Sequence, residues 1–231
     1  MKVHCTSDLS TQEGIRALIY GRAGIGKTSL IPTCEKQIIL SAEQGLQSIS
    51  NHQIPYIIIQ SWDDFINALR WLYNNQGQYK TIVIDSLSQI VEMLFEVKKA
   101  TCLNAAGKQD KLRAYGETGE DTRKVFNEYF RIHLKDYDIV AFAKLSKERD
   151  DQERLLYAPL FVGTKIGLEA PHAFDVVGAL RDNPDGSRYI MTESDGMWQA
   201  KARTPYQIGG THEPNITNLF NKMRGISNEK V

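Results

Sequence analysis

Gly21-Arg22-Ala23-Gly24-Ile25-Gly26-Lys27-Thr28 governs the reading of this 231-residue chain. The stretch satisfies G-x-x-x-x-G-K-[ST], in which backbone N–H groups curl around the β- and γ-phosphates of a nucleotide. The lysine then reaches the terminal oxygens, and the threonine hydroxyl ligates Mg²⁺. Its surroundings suit the role. Arg16–Tyr20 is an apolar run of strand length, and Ser29 to Cys34 is expected to open a helix whose N-terminal dipole favours an anion. Gly21, Arg22, Ala23, Gly24, Ile25, Gly26, Lys27, Thr28 and Ser29 are therefore the expected nucleotide-binding set, with ATP and Mg²⁺ as the implied cofactors.

Outward from this loop, apolar strand-length runs alternate with segments of helical period. That alternation indicates an α/β fold with a mainly parallel central sheet flanked by helices. Further strands are expected at Gln37–Leu40, Tyr56–Gln60, Thr81–Asp85 and Asp138–Ala143. Helices are expected at Trp62–Tyr73, Ser86–Val97 and Asp121–Leu134. The first of these is announced by Ser61 with Asp64 three residues on. Beyond about residue 175 the style changes. Val176–Leu180, Ser187–Met191 and Met197–Lys201 are short runs separated by Asn183-Pro184-Asp185-Gly186 and Asp195-Gly196, which predicts C-terminal antiparallel hairpin strands. Residues 1–13 read as an N-terminal extension and 14–208 as the main domain. Residues 209–231 read as a polar tail with a short helix at Ile216–Met223. Ala100–Gly119 and Leu145–Thr164 carry no clear element and read as two long loops at the nucleotide edge of the sheet.

Composition narrows the function classes. Lys plus Arg equals Asp plus Glu at 28 each, so no global charge draws the chain to nucleic acid or membrane. Cys5, Cys34 and Cys102 are too few and too irregular for a disulfide framework or a zinc site, which suits a reducing cytoplasm. The N-terminus lacks a signal-peptide core, and no run is long and apolar enough to span a bilayer. The five histidines show no ligand spacing.

Two carboxylates complete the expected chemistry. Thr81-Ile-Val-Ile-Asp85 is a buried-strand run that delivers an acid where Mg²⁺ is held beside the loop threonine. Ile38-Ile-Leu-Ser-Ala-Glu43 ends a second strand on a carboxylate able to accept a proton from an attacking water. Thr28 and Asp85 are thus the metal candidates, and Glu43 with Lys27 the catalytic ones.

A phosphate loop, then Ser-Ala-Glu43, then Val-Ile-Asp85-Ser86, resembles the RecA-type ATPase core. Ala114-Tyr115-Gly116 before a long helix, Asp175-Val-Val, and Lys201-Ala-Arg203 are similar to small single-domain phage ATPases that anneal complementary single strands. The resemblance covers roughly residues 14–205. It implies a homo-oligomeric ATPase that binds single-stranded DNA in phage or prophage recombination, in the host cytoplasm, beside a single-strand-binding protein. It also implies that Lys201 and Arg203 reach a neighbour's γ-phosphate, as an arginine finger would. DNA would lie on the two unassigned stretches, through Lys108, Lys111, Arg113, Tyr115, Lys147 and Arg149. The first stretch has a basic balance and the second a slightly acidic one, so solvated surface charge is the competing reading. One departure is Lys144, which stands where RecA proteins commonly carry a phosphate-sensing glutamine. A nucleotide-gated protein-interaction switch with negligible hydrolysis is the alternative function.

Overall fold

The computed structural model describes residues 13–149 and 152–226. The expected N-terminal extension, including His4 and Cys5, lies outside the described residues except for its last position, as does the tail beyond residue 226.

One sheet organises the chain. Its strands are β1 (Arg16–Gly21), β2 (Gln37–Ser41), β3 (Tyr56–Ile58), β4 (Thr81–Asp85), β5 (Asp138–Arg149), β6 (Leu155–Leu160), β7 (Val176–Asp182), β8 (Arg188–Met191), β9 (Lys201–Ala202) and β10 (Thr211–His212). They lie in the order β10-β8-β7-β1-β5-β4-β2-β3, with β6 on β5 and β9 on β7. β1, β2, β3, β4, β5 and β7 pair in parallel. The pairings of β6, β8, β9 and β10 are antiparallel. The α/β expectation, with antiparallel strands added late in the chain, is what the structure contains.

The near-continuous apolar runs follow from burial on both faces. Leu18, Tyr20, Leu40, Ile82, Ile84, Ile139 and Ala141 point into one core. There they meet α1 (Trp62–Asn74), α2 (Leu87–Thr101) and the helical segment Val125–His133. Their neighbours Ala17, Ile19, Ile39, Val83, Val140 and Phe142 enter a second core on the opposite face. That core is closed by α5 (Ile216–Met223) and by the short helical turn Thr28–Thr33.

Four expectations need correction. The helix expected after the loop is only a 3₁₀ turn over Thr28–Thr33 with Pro32 inside it, because proline supplies no N–H to continue an α-helical ladder. The first "long loop" is largely helix. Asp110 caps α3 (Lys111–Lys124) by accepting from Arg113 N at 3.0 Å, and the helix continues as a π-type segment to His133. Gly116 and Gly119 masked it by lowering helix propensity, although Gly119 lets Ile166 of α4 (Thr164–Glu169) approach. The second "loop" is a hairpin: β5 runs on to Arg149 and pairs with β6 from Lys144↔Leu160 to Arg149↔Leu155. The strand expected at Met197–Lys201 shrinks to β9, since Tyr157 N donates to Met197 O and Gln199 N to Tyr157 O, tying that backbone to β6 instead.

The polar tail is not loose within the described residues. β10 pairs with β8, and α5 buries Ile216, Leu219, Phe220 and Met223. Thr33, at the end of the turn that follows the loop, accepts from Ile216 N at 2.9 Å, and Thr217 Oγ1 donates to Thr33 O at 2.6 Å. Arg224 pairs with Asp138, whose Oδ1 also accepts from Ile15 N. Phe220→Ala is expected to lower unfolding stability by ~3–5 kcal/mol in urea titrations, the usual cost of emptying a buried aromatic site. An unchanged midpoint would show that α5 is not docked.

Candidate functional site

The site lies where β1, β2 and β4 end. Ser41 pairs with Asp85, and Gly21 pairs with Lys144, so the loop and both acids emerge from one edge. The loop turns through left-handed backbone at Gly24 (φ +74°) and Gly26 (φ +97°), which is why glycine occupies both positions. Gly21 is glycine for another reason: a Cβ there would fall 2.9 Å from Leu180 O.

Lys27 folds back on the loop, donating to Gly21 O at 2.9 Å and to Arg22 O at 3.1 Å. Burial pushes its pKa down, and the Glu43 and Asp85 carboxylates oppose that push. Thr28 Oγ1 donates to Asp85 Oδ2 at 3.1 Å. Asp85 is 3% exposed, and burial raises its carboxyl to about 6. Glu43 adds in the same sense, while the Thr28 hydrogen bond and Lys27 pull the other way.

The turn after β2 sets Glu43 in place. Ala42 N and Glu43 N both donate to Asp85 O, at 2.7 and 3.2 Å, which folds this segment across the tip of β4. Ser86 Oγ then donates to Glu43 Oε1, and the same hydroxyl caps α2 by accepting from Gln89 N at 3.3 Å. Ser86 was not singled out by sequence reasoning, although it directly follows Asp85.

The Thr28 hydroxyl and Asp85 carboxylate are adjacent hard oxygens, a donor set suited to Mg²⁺. Among the described residues no group of three or more His, Cys, Asp or Glu side chains could hold a metal alone. The other ligands would therefore be phosphate and water, as is usual for Mg²⁺ at nucleotide sites. A cleft of about 930 Å³ borders Glu43 and Gly45, but no loop residue lines it.

The other expected site residues are dispersed. Arg22 turns outward into an ion pair with Asp182 at 2.6 Å. Lys201 pairs with Val177, level with Leu18 rather than Gly21, so it does not reach its own chain's loop. Its ammonium is buried without a hydrogen-bond partner among the described residues, and burial beside Arg203 pushes its pKa down to about 8. Arg203 N donates to Asp175 O, near the start of β1. Lys144 contacts Gln89 Oε1 at 2.8 Å and Glu92 at 3.4 Å. Arg113 is held by Glu117 at 2.8 Å and Arg149 by Glu153 at 3.1 Å, whereas Lys108 sits in the connection before α3. Lys111 and Lys147 are sequence neighbours of Leu112 and Glu148, which line a different cleft of about 900 Å³ together with Tyr115, Tyr157 and Trp198. There Trp198 stacks on Tyr157 at 4.4 Å and lies under the Arg181 guanidinium.

A glycine loop at the end of a parallel strand, with a threonine and two strand-tip acids around it, defines a P-loop nucleoside triphosphatase. Residues 13–204 match the AAA domain family, and the chain belongs to it. It is accordingly a nucleotide-binding ATPase domain. No curated protein matches the chain. Among the described residues, no helix is long and apolar enough to cross a membrane.

Asp85→Asn tests the electrostatics. A carboxyl raised to about 6 adds stability below its ordinary pKa and loses that contribution as pH climbs through 6. At pH 7 the neutral amide should therefore stabilise the nucleotide-free protein by on the order of 1 kcal/mol in urea titrations, while Mg²⁺-dependent turnover is lost. A Mg²⁺ ion held at Asp85 should bind more weakly to the unaltered protein as pH falls below about 6, measurable by calorimetry.

Proposed function

We propose that this chain is a RecA-like, Mg²⁺-dependent ATPase that binds single-stranded DNA and promotes strand annealing or homologous recombination for a phage or prophage. Glu43 orients the attacking water and accepts its proton, held for that task by Ser86. Lys27 leaves the Gly21 and Arg22 carbonyls for the γ-phosphate and offsets developing charge. Thr28 and Asp85 would hold Mg²⁺, which would supply Lewis-acid stabilisation of the phosphate oxygens. Arg203, exposed next to β9, serves a neighbouring subunit in a homo-oligomer, whereas the Lys201 ammonium is buried and is withheld from that role. The site of action is the host cytoplasm, with a single-strand-binding protein as partner.

One observation carries the link to DNA. Ser88 follows closely on Asp85, accepts from Lys144 N at 3.0 Å and donates to Leu160 O at 2.6 Å. This path joins the nucleotide edge to β6, whose Tyr157 and Ala158 line the aromatic cleft. Tyr115, 41% exposed, offers a ring face for bases, and Lys111 and Lys147 offer phosphate contacts. A second reading is favoured by Leu112, which is 84% exposed at the cleft rim: a nucleotide-gated surface for a protein partner.

Glu43→Gln separates the two. For an ATPase, turnover should fall by ~10²–10⁴-fold with ATP binding retained; a switch would behave unchanged. Anisotropy with labelled single strands should show binding at low salt, weakened by Lys111→Ala with Lys147→Ala and with a shallower salt dependence. Absence of binding at low salt would remove DNA from the function and leave the protein partner.

A further inference from the structure

The hairpin of β7 and β8 overhangs the phosphate loop. β7 continues past Ala179, the partner of Tyr20, so Arg181, Asp182 and the turn that follows stand beside the loop rather than beneath it. The turn is closed by Asn183 N donating to Ser187 O at 2.8 Å, and Arg188 pairs with Asp182 at the base of the turn. Two side chains join hairpin to loop: the Arg22–Asp182 ion pair, and Arg188, whose Nη1 donates to Ile25 O at 3.2 Å. The guanidinium lies so close to Gly26 that a Cβ there would fall 1.7 Å from Nη1.

The charges around Arg188 are unevenly used. Asp182, its cross-strand neighbour, is taken by Arg22, and Asp185 is taken by Ser187 at 2.6 Å. Arg188 therefore has no carboxylate partner among the described residues, and a single carbonyl accepts from an exposed group with five N–H donors. A guanidinium without a carboxylate partner thus stands against Gly26, the residue that precedes Lys27 in the phosphate loop.

We propose that Arg188 is a ligand of the nucleotide's phosphate tail, a second cation delivered in cis by the β7–β8 hairpin. The proposal rests on reading Gly21–Thr28 as the triphosphate site. On binding, the guanidinium trades the Ile25 carbonyl for phosphate oxygens, to which its positive charge draws it. The glycine at 26 then has two causes: its left-handed backbone, and the room the guanidinium needs.

The alternative is a brace that only holds the loop, and two substitutions tell them apart. Arg188→Gln keeps an N–H donor for Ile25 O but no charge, whereas Arg188→Lys keeps the charge without the fork. With fluorescent ADP and ATP analogues, Arg188→Gln should weaken binding by about tenfold, while Arg188→Lys stays within about threefold of the unaltered chain. The salt dependence of binding should also be shallower for Arg188→Gln. Unaltered affinity in Arg188→Gln, or equal weakening in both variants, would overturn the proposal and leave the nucleotide site standing. Absence of nucleotide binding by the unaltered chain would overturn both readings together. Since Arg188 is exposed, both variants should melt as the unaltered protein does.

Discussion

The Asp85 backbone carbonyl, which accepts from both Ala42 and Glu43, is the contact on which the site depends. It bends the end of β2 over the end of β4 and so decides where the Glu43 side chain stands. The bend exists only because β2 and β4 run parallel with Ser41 opposite Asp85, which brings both strand ends to one level. β1 joins that level through β5, where Gly21 stands opposite Lys144. The loop, Asp85 and Glu43 are thus set by sheet register, with no special segment needed to bring them together.

Register in turn rests on burial. Alternate side chains of the central strands fill two different cores, so a one-residue slip of any strand would exchange the residues each face presents. Small residues suit the helix-covered face at Ala141 and Ala143, while Phe142 fits the opposite one. The second core is closed by α5, which also bonds Thr33 at the end of the turn that follows the loop. The C-terminal segment therefore anchors that turn, while the β7–β8 hairpin meets the loop through Arg22 and Ile25.

The electrostatics of the site follow from its depth. Lys27, Glu43 and Asp85 are gathered at a partly buried strand edge, so desolvation disfavours charge on the lysine and on the aspartate alike. Mg²⁺ and a phosphate tail would supply the charges this arrangement lacks. Lys27 turns to the Gly21 and Arg22 carbonyls, and Thr28 donates to Asp85.

The residues Gly21–Thr28, Glu43 and Asp85 were legible in the sequence because each belongs to a local pattern: a glycine spacing, or an apolar strand ending in an acid. The α/β class was legible for the same reason, since burial on both faces writes unbroken apolar runs. Helix α3 was not, because its glycines depress local propensity and its stability comes from packing, with Tyr115 against Phe95 and Gly119 against Ile166. Nor was the β5–β6 hairpin, in which the end of β5 is charged, β6 is half-exposed, and the strands are held by pairing with each other and with Met197–Gln199. Ser86 on Glu43, Thr33 under α5 and Arg188 over Gly26 were decided by the tertiary structure alone. Each joins residues distant along the chain, and no short-range pattern records which side chains a sheet's strand order will bring within hydrogen-bond reach.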